Sequence, residues 1–117
     1  MSNVETVCFD LKNKNEIVFL NPNEIVMICL KSKLAEIYTK TGETYIIKNT
    51  LKEIESKLKG DNFFRSHKSF LVNLNYIKRI INNYGEWEIE FFCIEEKAII
   101  SRRGRKELKK VVINLNR

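Results

Sequence analysis

The stretch that decides the fold is residues 63–81, FFRSHKSFLVNLNYIKRII. Apolar residues at 63–64 and 70–72 flank four polar residues at 66–69, a pattern that predicts two short buried strands joined by a polar turn. Residues 62–85 contain no Asp or Glu and hold four basic residues, which are Arg65, Lys68, Lys78 and Arg79. A turn in such a segment suits a polyanionic partner.

Positive charge is concentrated in two blocks of the chain. The formal net charge is +6, yet residues 1–61 hold nine Lys against nine Asp and Glu, and residues 86–96 hold five Glu. Residues 97–117 hold eight basic residues against one Glu, and every Arg lies either there or in residues 62–85. Because Arg can contact phosphate or guanine through two parallel hydrogen bonds, this segregation favours a nucleic acid partner over an ordinary solvated face.

Length and composition indicate one globular domain. The chain has 117 residues, of which 44% are hydrophobic and 31% charged, so residues 1–117 are expected to form a single domain with its own core. No apolar run approaches the roughly 18 residues of a membrane span, and the start, MSNVETVCFD, lacks a signal-peptide pattern. We therefore expect a cytoplasmic protein. The three cysteines form no C-x-x-C pair and are predicted to be buried thiols.

Most of the chain has the pattern of β-strands. Besides the two strands within residues 63–72, strands are predicted at residues 4–11, 16–20, 25–30, 34–39, 43–47, 76–81, 86–94 and 98–100. The run at 25–30, IVMICL, is apolar throughout, which is typical of a strand buried on both faces. Residues 86–90 alternate Glu with apolar residues, and their acidic face is expected to point away from a polyanion.

Two helices are expected. Residues 50–53, TLKE, form a capping box, in which the Thr hydroxyl and the Glu carboxylate satisfy free amides at a helix start. The helix at 50–58 has one apolar face and no basic excess on the other, so it is interpreted as a packing element and not a recognition helix. Residues 108–115 repeat apolar side chains at helical spacing and predict a last short helix.

No pattern typical of an enzyme is present. His67 is the only histidine, and the sequence offers neither a second His nor a paired Cys to complete a metal site. It also has no G-x-S-x-G elbow and no glycine-rich phosphate loop. We therefore expect no enzymatic activity, cofactor or metal. For His67 two roles stay open, a hydrogen bond within the turn or a contact to a phosphate.

Residues 63–77, FFRSHKSFLVNLNYI, resemble the signature of the LytTR DNA-binding domain, roughly F-x-R-x-H-R-S-(Y/F)-x-V-N-x-x-x-I. Residues 98–110 resemble the family's closing S-R-(R/K)-x-x-x-x-L-K pattern, and residues 25–39 and 50–58 resemble its early strand pair and short helix. The resemblance implies a mostly β fold, an elongated antiparallel sheet with one short central helix and a short C-terminal helix. It also implies a transcriptional regulator that binds double-stranded DNA through loops between strands.

Three basic segments are the candidate DNA-binding loops. The predicted DNA-binding residues are Lys31, Ser32, Lys33, Arg65, His67, Lys68, Ser69, Arg102, Arg103 and Arg105. The resemblance implies that Lys68 and Arg103 face the major groove. Lys68 stands where the family usually carries Arg or another polar residue, and Gly104 stands where an aromatic residue is common. Residues 31–33 fit an exposed hairpin tip as well as a DNA contact.

The resemblance also suggests partners. Family members commonly recognise directly repeated DNA sites, so a homodimer on DNA is a further expectation. The chain begins almost directly with the binding domain and shows no receiver domain, so we expect either a stand-alone regulator controlled by another protein or an excised domain. Two alternatives stay open, a basic protein-protein interaction module and a small RNA-binding protein. Most aromatic residues lie in apolar runs that predict core positions, which argues against base stacking on RNA.

Overall fold

A computed structural model describes residues 5–13 and 15–115 of the chain. Two α-helices are present in that part, α1 (Leu51–Lys57) and α2 (Arg102–Leu115), and neither is long and apolar enough to cross a membrane. The strands there are β1 (Val7–Asp10), β2 (Ile17–Leu20), β3 (Ile25–Lys31), β4 (Leu34–Thr39), β5 (Thr44–Ile47), β6 (Phe63–His67), β7 (Phe70–Asn73), β8 (Ile77–Asn83), β9 (Glu86–Phe91) and β10 (Ala98–Ile99). The predicted mostly β fold with one central and one C-terminal helix is confirmed.

The centre of the fold is a five-stranded antiparallel sheet with the strand order β5-β4-β3-β7-β6. β3 lies in the middle, between β4 and β7. Residues 25–29 of this strand are all buried, because hydrophobic clusters cover the sheet on both faces. The prediction for the apolar run at 25–30 is therefore confirmed, except that Leu30 at its end is half-buried.

Two layers cover the central sheet. One hydrophobic cluster joins α1 and the β1–β2 hairpin to the sheet, and its members include Phe9, Leu20, Ile28, Ile54, Leu58 and Leu71. A second cluster joins α2 and a three-stranded sheet, β10-β9-β8, to the opposite face, and its members include Met27, Val72, Ile89, Phe91, Ile100 and Leu108. Because full burial of one such side chain stabilises a fold by about 1.5–3 kcal/mol, the two clusters hold the three layers together.

Strand pairing brings two turns to the same end of the central sheet. Cys29 of β3 lies opposite Phe70 of β7 in an antiparallel pair, so the end of β3 lies beside the start of β7. The backbone N–H of Leu30 donates to the carbonyl of Ser69 at 2.8 Å. The β3–β4 turn and the β6–β7 turn, which carry the first two predicted basic segments, are therefore neighbours.

Three local predictions are wrong. Ser66 and His67 belong to β6 and not to the turn, and Ser66 is fully buried, because a bulge in the pairing of β6 with β7 directs its side chain toward β10. Residues 102–105 lie in the first turn of α2 instead of a loop, since the helix begins before its apolar repeat. Cys8 and Cys93, which were predicted to be buried, are exposed.

The predicted capping box holds the start of α1. The hydroxyl oxygen of Thr50 accepts a hydrogen bond from the backbone N–H of Glu53 at 3.1 Å, and the Glu53 carboxylate accepts one from the backbone N–H of Thr50 at 2.9 Å. Leu51 and Ile54 are buried against the central sheet, as expected of a packing element. Gly60, with a φ of +90°, follows the helix in the left-handed conformation that Gly adopts at little cost.

We expect the Thr50→Ala variant to lose about 1 kcal/mol of unfolding free energy, because it removes the side-chain acceptor of the cap. Urea denaturation of the two proteins measures this loss. Lys52→Ala, at an exposed position of the same helix, is the matched control and should change stability little. Equal stability of the Thr50→Ala variant and the unsubstituted protein would show that the cap contributes nothing.

Candidate nucleic-acid interface

Arg65 shapes the β6–β7 turn. Its Nε–H donates to the carbonyl of His67 at 3.1 Å, and its Nη2 donates to the carbonyl of Lys68 at 2.8 Å. Its Nη1 forms an ion pair with the Glu55 carboxylate of α1, also at 2.8 Å. Three of the five N–H donors of the guanidinium are therefore engaged inside the protein. Arg65 fixes the backbone that presents Lys68, which is itself exposed.

His67 contributes both to the turn and to the surface beside it. Its Nδ1 accepts a hydrogen bond from the backbone N–H of Ser69 at 3.1 Å, and its ring packs edge-on against Phe70 with 5.8 Å between ring centroids. Because Nδ1 is an acceptor, the proton of the neutral ring lies on Nε2. Of the two roles that the sequence leaves open for His67, the hydrogen bond within the turn is present. The Nε2–H remains as a donor that a phosphate could use.

The start of α2 is fixed directly to β6. The carbonyl of Ser66 accepts a hydrogen bond from the backbone N–H of Ser101 at 2.9 Å, and the Ser66 hydroxyl donates to the carbonyl of Ile99 at 2.9 Å. A Cβ atom on Gly104 would lie 2.6 Å from the Ser66 carbonyl oxygen, which is closer than real Cβ contacts allow. Any larger side chain at position 104 would therefore press on the Ser66 carbonyl, because α2 approaches β6 closely here.

Three arginines occupy the first turn of α2. Ser101 caps this turn, because its hydroxyl oxygen accepts from the backbone N–H of Gly104 at 2.9 Å. Arg102 and Arg103 are exposed, and the guanidinium of Arg105 lies 4.5 Å from the ring centroid of Trp87. Cations near a helix N-terminus oppose the helix dipole by about 0.3–1 kcal/mol each. A bound anion would remove this cost and would also meet the free amides of the first turn.

The β3–β4 turn presents one paired and one exposed lysine. Lys31 forms an ion pair with Glu36 at 3.0 Å, and the hydroxyl of Tyr38 donates to the same carboxylate at 2.5 Å. Hydrogen bonding to Tyr38 and then to Glu36 raises the pKa of Lys31, so this ammonium stays protonated, although the carboxylate offsets its charge. Lys33 is exposed beyond Ser32, whose φ of +56° closes the turn.

The three basic segments lie together at one end of the molecule. Arg103 lines a groove with Arg65, His67 and Lys68, and a second groove contains His67 with Arg102 and Arg105. The β3–β4 turn adjoins them through the Leu30–Ser69 hydrogen bond described above. We call the set the basic surface; its members are Lys31, Ser32, Lys33, Arg65, His67, Lys68, Ser69, Arg102, Arg103 and Arg105.

The acidic residues at the two ends of β9 lie differently with respect to this surface. Glu90 of β9 forms ion pairs with Arg79 at 2.5 Å and with Lys97 at 3.9 Å, away from the basic surface. Glu86, at the other end of β9, lines the groove that contains Arg102 and Arg105. The register of β9 brings Glu86, its first residue, beside α2, and the expectation that the acidic face of β9 points away from a polyanion stays a prediction.

Sequence reasoning missed several residues that build the interface. Ser101 precedes an amphipathic segment, and this position of a Ser is a recognisable signal for a helix N-cap. Glu55 contacts Arg65, and Trp87 contacts Arg105. Each pair is separated by ten or more residues, so no local sequence pattern predicts the contact. In residues 5–13 and 15–115, no cluster of three or more His, Cys, Asp or Glu side chains could hold a metal ion.

Comparison with known proteins identifies the family. Residues 15–113 match the model of the LytTr DNA-binding domain, so the chain belongs to the LytTR family. The structure is similar to a solved LytTr DNA-binding domain of a Bacillus cereus response regulator, with a TM-score of 0.75 at 22% sequence identity over 94% of this chain and 98% of that one. This likeness confirms the fold that the sequence resemblance implied.

Two curated relatives are transcriptional or sensory regulators. The chain is 35% identical over 95 residues to the sensory transduction protein LytT of Oceanobacillus iheyensis, covering 80% of this chain and 39% of that protein. It is 38% identical over 68 residues to the transcriptional regulatory protein YpdB of Escherichia coli K12, covering 57% of this chain and 28% of that protein. The chain therefore spans less than half the length of these relatives.

We expect Gly104→Ala to destabilise the protein, although Ala is the better helix former by about 0.8–1 kcal/mol. The added methyl group would press on the Ser66 carbonyl, a backbone atom that cannot rotate away, and overpacking of this kind costs about 1–3 kcal/mol. Thermal unfolding should show a lower Tm for Gly104→Ala and little change for the control Lys106→Ala, at an exposed position of the same helix. A higher Tm for Gly104→Ala would disprove the close contact.

Proposed function

We propose that this chain is a sequence-specific double-stranded DNA-binding domain of a transcriptional regulator that acts in the bacterial cytoplasm. The observation that carries the proposal is the junction between β6 and α2, which places Lys68 and Arg103 along one groove. Because main-chain hydrogen bonds fix α2 to β6, the cations that these two elements carry can contact one duplex at the same time. Membership of the LytTR family supports duplex DNA as the polyanion.

The exposed members of the basic surface divide into two proposed roles. Lys68 and Arg103 read bases in the major groove, which at about 12 Å wide admits a two-stranded β-ribbon or a helix end. Arg102, Lys33 and the Nε2–H of His67 contact phosphates on either side. This division follows the family resemblance for the first two residues, the exposure of Arg102 and Lys33, and the position of the half-buried His67 in both grooves.

Arg65 and Lys31 are proposed to support binding indirectly. Arg65 holds the carbonyls of His67 and Lys68, so its main effect on DNA is through the geometry of the turn. Lys31 shares its charge with Glu36 and contributes less than Lys33 to the attraction of phosphate. We expect substitution of Arg65 to lower stability as well as affinity, whereas substitution of Lys33 lowers affinity alone.

The larger assembly is part of the same proposal. Residues 1–117 act as one DNA-binding domain that binds and does not catalyse, and two copies occupy directly repeated sites as a homodimer on DNA. A regulatory protein partner controls the binding. The names of the relatives, a sensory transduction protein and a transcriptional regulatory protein, support a signalling context for this chain.

Two alternatives, RNA binding and protein binding, are tested in the same experiment. Phe70 and Phe91 are buried, and Arg105 covers one face of the half-buried Trp87 ring, so these three rings leave little aromatic surface for base stacking. Titration of labelled duplex DNA, single-stranded RNA and an acidic polypeptide against the protein separates the three classes. Duplex DNA bound more tightly than both other probes supports the proposal, and preference for either of the others overturns it.

The division of roles predicts two different patterns of lost affinity. Arg103→Ala should cost about 1–3 kcal/mol on the cognate site and much less on a scrambled duplex, because a base-reading side chain discriminates sequence. Lys68→Ala should show a mixed pattern, since an ammonium is a point charge that cannot pair with guanine bidentately. The cognate site is first obtained by selection from random duplexes, and each variant is then titrated against both DNAs.

Lys59→Ala is the matched control for these titrations, because it removes one positive charge at an exposed position outside the basic surface. It should change affinity for both duplexes little. Lys68→Arg should tighten cognate binding if a guanine lies opposite this residue. Equal losses on cognate and scrambled DNA for Arg103→Ala would show that Arg103 anchors a phosphate and does not read a base.

A further inference from the structure

Tyr84 is the most exposed large hydrophobic side chain among the described residues. It lies at the tip of the β8–β9 hairpin with a relative accessibility of 103%, and no part of the fold covers its ring. Its φ of +55° and the +95° of Gly85 give the two-residue turn a left-handed backbone at both central positions. Asn is strongly preferred over Tyr at the first of these positions. The position therefore carries a residue that neither packing nor turn geometry favours.

The tip of this hairpin adjoins the basic surface. Gly85 and Glu86 line the same groove as His67, Arg102 and Arg105. The hairpin is held there by two contacts of Trp87, whose ring lies under Arg105 and whose carbonyl accepts from the backbone N–H of Ile100 at 3.0 Å. Tyr84 is three residues before Trp87, so the tip extends beyond this contact by about 7–10 Å at the rise of a β-strand.

We propose that Tyr84 is a further DNA-contacting residue, whose hydroxyl donates to a backbone phosphate beside the groove that α2 enters. The inference rests on the proposed function of the basic surface and adds a fourth segment to it. Tyr hydroxyls are among the groups that commonly hold DNA phosphates. Because the ring stands clear of the fold, its hydroxyl can reach a phosphate. Because Tyr is uncharged, the contact does not require a charged side chain of the hairpin to lose its hydration.

Other residues of the tip are consistent with an anionic neighbour. Asn82 and Asn83 are neutral, and their side chains are engaged within the hairpin, Asn82 with the backbone N–H of Gly85 at 2.7 Å and Asn83 with Glu88 at 3.4 Å. Glu86 is the one acidic residue that lines this groove, which Arg102 and Arg105 also line. The hydroxyl of Tyr84 is therefore the group at the tip that has no role within the hairpin.

The deciding variant is Tyr84→Asn. Asn suits a positive φ at this turn position, so the variant should have a Tm equal to or above that of the unsubstituted protein. It should bind both cognate and scrambled duplexes about three- to tenfold more weakly, the range expected for one lost hydrogen bond. Because Tyr is uncharged, the slope of log affinity against log salt should stay the same.

Two further variants control the test. Tyr84→Phe removes only the hydroxyl and should show most of the loss. Phe92→Ser removes an exposed aromatic ring, 66% accessible, just beyond the end of β9 that lies away from the tip, and should bind DNA like the unsubstituted protein.

The outcomes separate this inference from the proposed function. If Tyr84→Asn binds like the unsubstituted protein while Arg103→Ala binds more weakly, Tyr84 makes no contact and the basic surface stands. A loss confined to the cognate duplex, or an equal loss for Phe92→Ser, also overturns the phosphate contact. If the unsubstituted protein shows no salt-dependent affinity for duplex DNA, the proposed function itself fails.

Discussion

The arrangement of the basic surface depends on one close contact, the approach of α2 to the backbone of β6. The buried Ser66 receives the N–H of Ser101 on its carbonyl and donates its hydroxyl to Ile99, so α2 and β10 are tied to the strand that leads into the turn. Only Gly at position 104 leaves room for this approach. Without this approach of α2 to β6, Lys68 and Arg103 would not line one groove and could not contact the same ligand together.

Part of the positive charge on this surface is neutralised by acidic residues of the protein. Glu55 and Glu36 pair with Arg65 and Lys31, which fixes two turns and reduces the number of cations available to a ligand. The remaining arginines stand at a helix start, where the dipole disfavours them. A domain arranged for stability alone would place acidic side chains there. The arrangement is consistent with a surface whose cations are stabilised when phosphate is bound.

Local patterns predicted local structure well. The run at 25–30 and the capping box at 50–53 carry their information within a few residues, and both are confirmed. The burial of Ser66 could not be predicted, because it comes from a bulge and from contact with segments about 35 residues further on. The start of α2 was missed since its first turn is polar throughout. In the same way, the sequence shows where the three basic segments lie along the chain, but it cannot show that Arg65 and Lys31 form ion pairs with Glu55 and Glu36.

The claim that the three segments act as one surface is tested most directly by the salt dependence of nonspecific duplex binding. Each neutralised phosphate contributes about −0.9 to the slope of log affinity against log salt. Five cations of the basic surface lie outside the ion pairs described above, which are Lys33, Lys68, Arg102, Arg103 and Arg105. Arg103 is proposed to read a base and so adds little on nonspecific DNA, and the other four predict a slope of about −3 to −4. A slope of about −2 or shallower would mean that the segments do not engage one duplex together.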